Sequence, residues 1–278
     1  MIESGTIPVL QARGAHIPRL GLGTYDLNGS ACSRIVEAAL AMGYRHIDTA
    51  EMYDNEDAVG IGMRASSVPR SDIFLTTKIW YTDLHAGKVH ACADRSLHRL
   101  RTDYVDLLLI HWPNPTIPLA ETLGAMIELQ TAGKVRFIGV SNFSLKLLDD
   151  VERLFPRTIV CNQVECHFLL GQDRLRTYAR DHGMALTAYS PLAKGEAAKN
   201  NTLKKIGAKH GKTGSQIALR WLMDQENVVA IPKSSSVDRL RENMSIFDFT
   251  LSEADQHAVA SLPKDRRHVT VPWALDWD

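Results

Sequence analysis

A regular alternation of short apolar runs with helical stretches constrains this chain more than any other feature. Strand-like runs fall at residues 20–25, 45–48, 73–78, 104–110, 136–140, 158–163, 185–189 and 228–231. Helical spacing follows each of them, at 30–42, 55–64, 86–100, 119–132, 144–153, 172–182, the pair 201–210 and 213–224, and about 234–243. In the first of these helices Ile35, Ala38, Ala39 and Met42 share a face. Residues 104–110 are almost wholly apolar, as a strand covered on both faces must be. Eight such units predict an α/β chain folded as a (β/α)8 TIM barrel, one domain over residues 1–278. Residues 6–11 and 16–18, joined through Arg13-Gly14, predict an N-terminal β-hairpin able to plug one end of it. The competing open doubly wound sheet wants a glycine-rich phosphate turn after its first strand. Leu20-Gly21-Leu22-Gly23 is not that turn, and no helix follows it directly; its glycines serve tight packing or close approach by a ligand. A last helix is expected to start at Ser252, where residues 252–255 resemble a capping box with Asp in place of Glu.

Charge excludes some function classes. Thirty-two Lys plus Arg balance thirty-two Asp plus Glu, so nothing predicts a nucleic-acid or membrane partner. A monomer is expected. Cys32, Cys92, Cys161 and Cys166 form no CxxC pair and no zinc spacing, and free buried thiols are the expectation. With no basic-then-apolar N-terminal segment, they point to a cytoplasmic protein.

The chemistry gathers at strand ends. In GYRHIDTAEMYDNEDAVG, residues 43–60, Asp48 stands where a strand stops, Tyr53 lies in the loop beyond, and Asn55 is placed to cap the next helix. Other strands end at Lys78, His111 and Lys233. In a parallel barrel these ends share one rim, where chemistry happens, with Ser141, Asn142, Gln163 and Tyr189 alongside. A tyrosine with its ordinary pKa of about 10 is a poor acid near neutrality. A cation held close lowers that value, and Lys78 can be the cation. Lys78 needs an anion if it is buried, and Asp48 fits. His111 can hydrogen-bond a carbonyl oxygen from a second side. Such a site hands a proton to a carbonyl oxygen while a cofactor delivers hydride to the carbon. Two other readings use the same residues: a Schiff-base aldolase or lyase with Lys78 or Lys233 as nucleophile, and a non-catalytic nucleotide-binding regulatory protein.

Asp48, Tyr53, Lys78 and His111 match the tetrad of the aldo-keto reductase superfamily. The resemblance runs from Gly21 to about Asn243 through GYRHIDTAEMYDNEDAVG, the strand ending in Lys78, LLLIHWP, FIGVSNF and IPKSSS, in family order. The chain resembles most the bacterial branch of 2,5-diketo-D-gluconate and methylglyoxal reductases. That resemblance implies NADPH-dependent carbonyl reduction without a metal. It makes Tyr53 the general acid, Lys78 with Asp48 its activator, and His111 the group that orients the carbonyl. It gives Ser141, Asn142 and Gln163 the carboxamide of the nicotinamide, stacks Tyr189 on its ring, and counts Thr24 among the cofactor-binding residues. Ser190 and Leu192 then line the pyrophosphate path. Lys233, Ser234 and Arg239 hold the 2′-phosphate of NADPH, with Glu242 and Asn243 near adenine. Independently, three serines at a helix start beside Lys233 and Arg239 suit an anion, although the same residues also read as an ordinary cap with surface charges.

Tyr25, Trp80 and Trp112 are read as an aromatic wall around a small carbonyl substrate, although tryptophans are also ordinary core residues. Trp273 and Trp277 belong to a tail expected to pack on the rim. The loop after Tyr189 and the C-terminal segment look short beside steroid-reducing relatives, so the expected substrates are small aldehydes, α-dicarbonyls or keto-sugars.

Overall fold

The computed structural model describes residues 7–271. Strands β1 (Val9–Ala12) and β2 (Ala15–Pro18) pair antiparallel. Their turn, Arg13-Gly14, has positive φ at both residues, 46° and 89°, the twist a two-residue hairpin requires. Eight parallel strands follow: β3 (Leu22–Gly23), β4 (His46–Asp48), β5 (Phe74–Ile79), β6 (Val105–Ile110), β7 (Val135–Ser141), β8 (Ile159–Glu165), β9 (Ala185–Tyr189) and β10 (Val228–Ala230). They hydrogen-bond in chain order. Between and after them lie α1 (Gly29–Ala41), α2 (Glu56–Ala65), α3 (Ala86–Leu100), α4 (Leu119–Thr131), α5 (Leu145–Leu154), α6 (Asp173–Asp181), α7 (Asn201–His210), α8 (Gly214–Met223), α9 (Val237–Met244) and α10 (Glu253–Ala260).

The sheet closes on itself. Leu20 bridges Ala230 in parallel, the amide of Gly21 donates to the Ala230 carbonyl at 2.9 Å, and that of Gly23 donates to the Pro232 carbonyl at 3.2 Å. Closure therefore uses the two glycines of the first strand. A Cβ on Gly23 would lie 2.6 Å from the Ile231 carbonyl oxygen, and one on Gly21 would lie 2.8 Å from the His46 ring. Of the two roles open to these glycines, tight packing is the one the structure assigns.

Alternation along the strands sorts side chains into two cores. Leu75, Leu108 and Ile110 face outward and pack with the helices. Phe74, Leu107, Leu109, Val160, Cys161, Ala185 and Val229 form the barrel interior, together with Ala12, Ala15 and Ile17 of the hairpin. The hairpin thus plugs the lower end, as expected. Arg13 ties it down by donating to the carbonyls of Ile159 (2.9 Å) and His182 (3.0 Å) and to Glu152. Because strand side chains repeat every two residues, Asp48, Lys78 and His111 share the parity of His46, Phe74 and Leu109 and point inward at the opposite end. All four cysteines are free and buried.

Two cap expectations change. Asn55 precedes α2, but its side chain makes no cap bond; it is used elsewhere, as described below. Ser252 does cap α10 by accepting from the Asp255 amide (3.1 Å), yet its hydroxyl donates to the Asp255 carboxylate, so the reciprocal half of the box is absent. A complete box forms instead at Thr213 and Gln216, the start of α8.

Gly23→Ala should therefore strain the closing seam. The expected loss is about 1–3 kcal/mol, read as a lower midpoint in reversible chemical denaturation with an unchanged m-value. An unaltered midpoint would mean that the seam relaxes freely.

Candidate active site

Neighbouring strands β4 and β5 end in opposite charges. Lys78 Nζ donates to Asp48 Oδ1 at 2.6 Å, to the Thr49 carbonyl at 2.7 Å and to the Tyr53 hydroxyl oxygen at 3.3 Å. The ammonium is fully buried, so leaving water carries a large penalty, offset here by three acceptors, one of them ionic. The second Asp48 oxygen accepts from Gln163 Nε2 at 2.8 Å, and its carbonyl accepts from both the amide and the hydroxyl of Thr24, each at 3.0 Å. Thr24 and Gln163 thus hold the ion pair itself, a role that sequence reading did not give them.

Asn55 organises the loops around this pair. It accepts from Thr49 Oγ1 (2.7 Å) and donates to the carbonyls of Thr24 and Leu27 (both 2.8 Å). One buried amide thereby links the loop after β3 to the loop after β4 and steadies the Thr49 carbonyl that receives Lys78. Only the local helix-start pattern was visible in sequence; two of the three partners, Thr24 and Leu27, lie some thirty residues upstream. Next to it, Glu56 is also buried and accepts from Thr77 at 2.6 Å.

Tyr53 sits in a 3-10 turn, residues Glu51–Tyr53, over the barrel mouth. Its ring meets Tyr25 edge-on at 5.1 Å and His111 at 5.6 Å, and Trp80 meets His111 at 5.1 Å. Burial pushes the Tyr53 phenol well above its ordinary pKa, with the charge of Asp48 and then Tyr25 adding to the effect. The net shift is therefore upward, against the lowering expected from Lys78: desolvation and the Asp48 charge outweigh the pull of the cation. Burial and the neighbouring Lys78 hold His111 well below the usual imidazole range. Burial also lowers Lys78, against the opposing pull of Asp48. Near neutral pH the mouth therefore holds a protonated phenol and an uncharged imidazole. Because the phenol oxygen accepts from Lys78, its own O–H remains available to a carbonyl placed between Tyr53 and His111.

Around the rim, Ser141 Oγ donates to the Gln163 carbonyl (2.8 Å), and Asn142 Nδ2 donates to the His111 carbonyl (2.9 Å) and to Ser141 Oγ (3.0 Å). Tyr189 donates to Asn142 Oδ1 at 2.9 Å. These bonds use both Asn142 N–H groups but leave acceptor capacity on Asn142 and Gln163, and one Gln163 N–H beyond that given to Asp48. A carboxamide, with two donors and one acceptor, fits that remainder. Ser190 and Leu192 are half-buried on the loop after β9.

Lys233 is exposed, 3.8 Å from Asp26, and Arg239 is exposed with no carboxylate partner among the described residues. Both cations flank the start of α9. Ser234 is buried, and its hydroxyl donates to the Ser236 carbonyl (2.9 Å) while accepting the Ser236 amide (3.1 Å), so it shapes the turn. Glu242 accepts from Thr213 at the start of α8, and Asn243 is buried. Of the proposed wall, Tyr25 is 60% exposed and Trp80 half-buried, whereas Trp112, 5% exposed, offers little surface to a ligand. Trp273 and Trp277 lie outside the described residues.

Residues 19–263 match the Aldo/keto reductase family. The chain is 42% identical to the glyoxal reductase of Bacillus subtilis (strain 168), over 91% of its own length and 92% of that protein. It is 38% identical to methylglyoxal reductase DkgB of Escherichia coli O157:H7, over 94% and 99% of the two chains. Among solved structures it superposes on a putative 2,5-diketo-D-gluconic acid reductase B with a TM-score of 0.96 and 41% identity, covering all of both chains. Barrel, rim constellation and these likenesses agree: the chain belongs to the aldo/keto reductase family.

Proposed function

We propose that the protein reduces small aldehydes and α-dicarbonyls to alcohols with NADPH, Tyr53 acting as general acid. One observation carries the reading: a buried lysine, ion-paired to Asp48, donates to the oxygen of a phenol that faces an uncharged histidine. When bound, the nicotinamide supplies the hydride. The chain's residues do the rest. The substrate carbonyl accepts from the Tyr53 hydroxyl and from a His111 N–H, which polarises the carbon. As negative charge builds on the substrate oxygen, the Tyr53 proton moves to it. The resulting phenolate is held by Lys78, whose partner Asp48 keeps the ammonium in place.

Ser141, Asn142 and Gln163 offer the carboxamide contacts, and Tyr189 offers a ring face. Lys233 and Arg239 favour NADPH over NADH by pairing with its 2′-phosphate, near the amides at the start of α9. The names of the relatives, glyoxal and methylglyoxal reductase, support α-dicarbonyls as the substrate class. In these substrates the second carbonyl withdraws electrons from the reacting carbon, so a site with modest binding surface can still turn them over. A Schiff-base role for Lys78 is disfavoured because all three of its N–H groups are engaged and it is buried.

Tyr53→Phe should lower kcat for methylglyoxal by about 10²–10⁴ while NADPH affinity stays within a factor of about two. Near-normal turnover would remove Tyr53 from the mechanism. The raised phenol and lowered imidazole predict a pH profile as well. Carbonyl reduction should show no inflection between about pH 6.5 and 10, the ordinary values of the two groups. Alcohol oxidation, which needs the phenolate, should still be rising at the upper end of that range. An inflection near pH 6.5 that His111→Gln abolishes would contradict the uncharged ring. Finally, Arg239→Ala should weaken NADPH about 10- to 100-fold in fluorescence titration and leave NADH nearly unchanged. Equal losses for both would make Arg239 structural.

A further inference from the structure

Glu165 ends β8, two residues beyond Gln163 and paired in register with Tyr189, and no step above uses it. It is fully buried, yet four donors surround it. His167 Nε2 (3.0 Å) and the His268 amide (2.8 Å) donate to one carboxylate oxygen, and the Val269 amide (2.9 Å) donates to the other. Gln172 donates to its carbonyl at 2.9 Å. Burial alone would favour the neutral acid, but the donors outweigh it and hold the carboxyl below its usual range. Glu165, His167 and His268 also lie at metal-like spacing. The hydrogen bonds oppose that use: the Leu169 amide donates to His167 Nδ1 (3.2 Å), so the neutral ring carries its proton on Nε2 and gives it to Glu165.

The anchored segment spans two loops. On the β8 side, Lys264 donates to the Phe168 carbonyl (2.6 Å) and the Arg266 amide to that of Leu169 (3.1 Å). On the β9 side, Arg266 pairs with Glu196 (2.7 Å), and Lys194 donates to the His268 carbonyl (3.1 Å). The loop it reaches is strained. Ser190, Ala193 and Lys194 all have left-handed backbones, with φ of 48°, 49° and 49°. Side chains other than glycine hold such conformations only when their surroundings enforce them.

We propose that Glu165 is a positioning residue: by pinning residues 263–271 across the rim, it braces the strained turn at 190–195 and so sets how long the cofactor stays bound. The cofactor clause rests on the reading of Ser190 and Leu192 given above; the anchoring does not.

Glu165→Gln replaces one acceptor with an N–H that faces donors. In the full-length variant, amide exchange in 263–271 and 190–197 should quicken about tenfold, while β4–β6 amides, as an internal control, keep their protection. NADPH release, followed by stopped-flow fluorescence, should accelerate about tenfold, with association changed far less. Glu196→Gln, on an accessible loop, should quicken release about threefold yet leave the amides of His268 and Val269 protected. This second variant decides the matter if the first fails to fold. Unchanged exchange in 263–271, or faster exchange with unchanged NADPH release, would overturn the proposal, as would unchanged release in Glu196→Gln. If the unmutated protein bound no NADPH, the proposed function and the cofactor clause would fall together, and exchange would still report whether Glu165 anchors the segment.

Discussion

The site depends on one buried ion pair. An ammonium without water must be surrounded by acceptors, and Lys78 has three within reach, of which only Asp48 carries charge. Each neighbour is placed by that demand. The Thr49 carbonyl turns inward, the phenol oxygen of Tyr53 is drawn to the mouth, and Gln163 and Thr24 hold Asp48 from the other side. Loss of either ion would leave the other uncompensated in a dry interior, a defect of roughly 3–5 kcal/mol. Activity and stability are therefore coupled at this position.

The pair also explains the protonation pattern. Burial, with the charge of Asp48 adding to it, outweighs the pull of Lys78 on the Tyr53 proton, so the phenol stays protonated at rest. A reducing site benefits: a proton donor must hold its proton until charge develops on the substrate oxygen. Lys78 then matters most after transfer, when the phenolate needs a cation. This arrangement stabilises the charge that forms along the reaction and leaves the resting phenol intact.

Much of the fold was legible because its signals are local and repeated. Residues 104–110, nearly all apolar, could only be a strand covered on both faces, and β6 is that strand. Arg13-Gly14 announced its hairpin through turn chemistry alone. Local signals misled where tertiary partners competed. Asn55 had the chemistry of a cap, but Thr24, Leu27 and Thr49 bind its amide from three directions. Trp112 follows His111 at the rim, where a wall residue belongs, and the structure buries it. Glu165 carried no signal, since two of the three donors to its carboxylate come from residues about a hundred positions away.

From the sequence alone, the barrel and the ionisable ends of its strands could be determined, because a period of two residues places Asp48, Lys78 and His111 on one face of parallel strands whatever the loops do. Which proton each group holds was decided only in three dimensions. Desolvation and the 2.6 Å contact of Lys78 with Asp48 depend on burial, and burial depends on the whole closed sheet and the hairpin and helices that cover it.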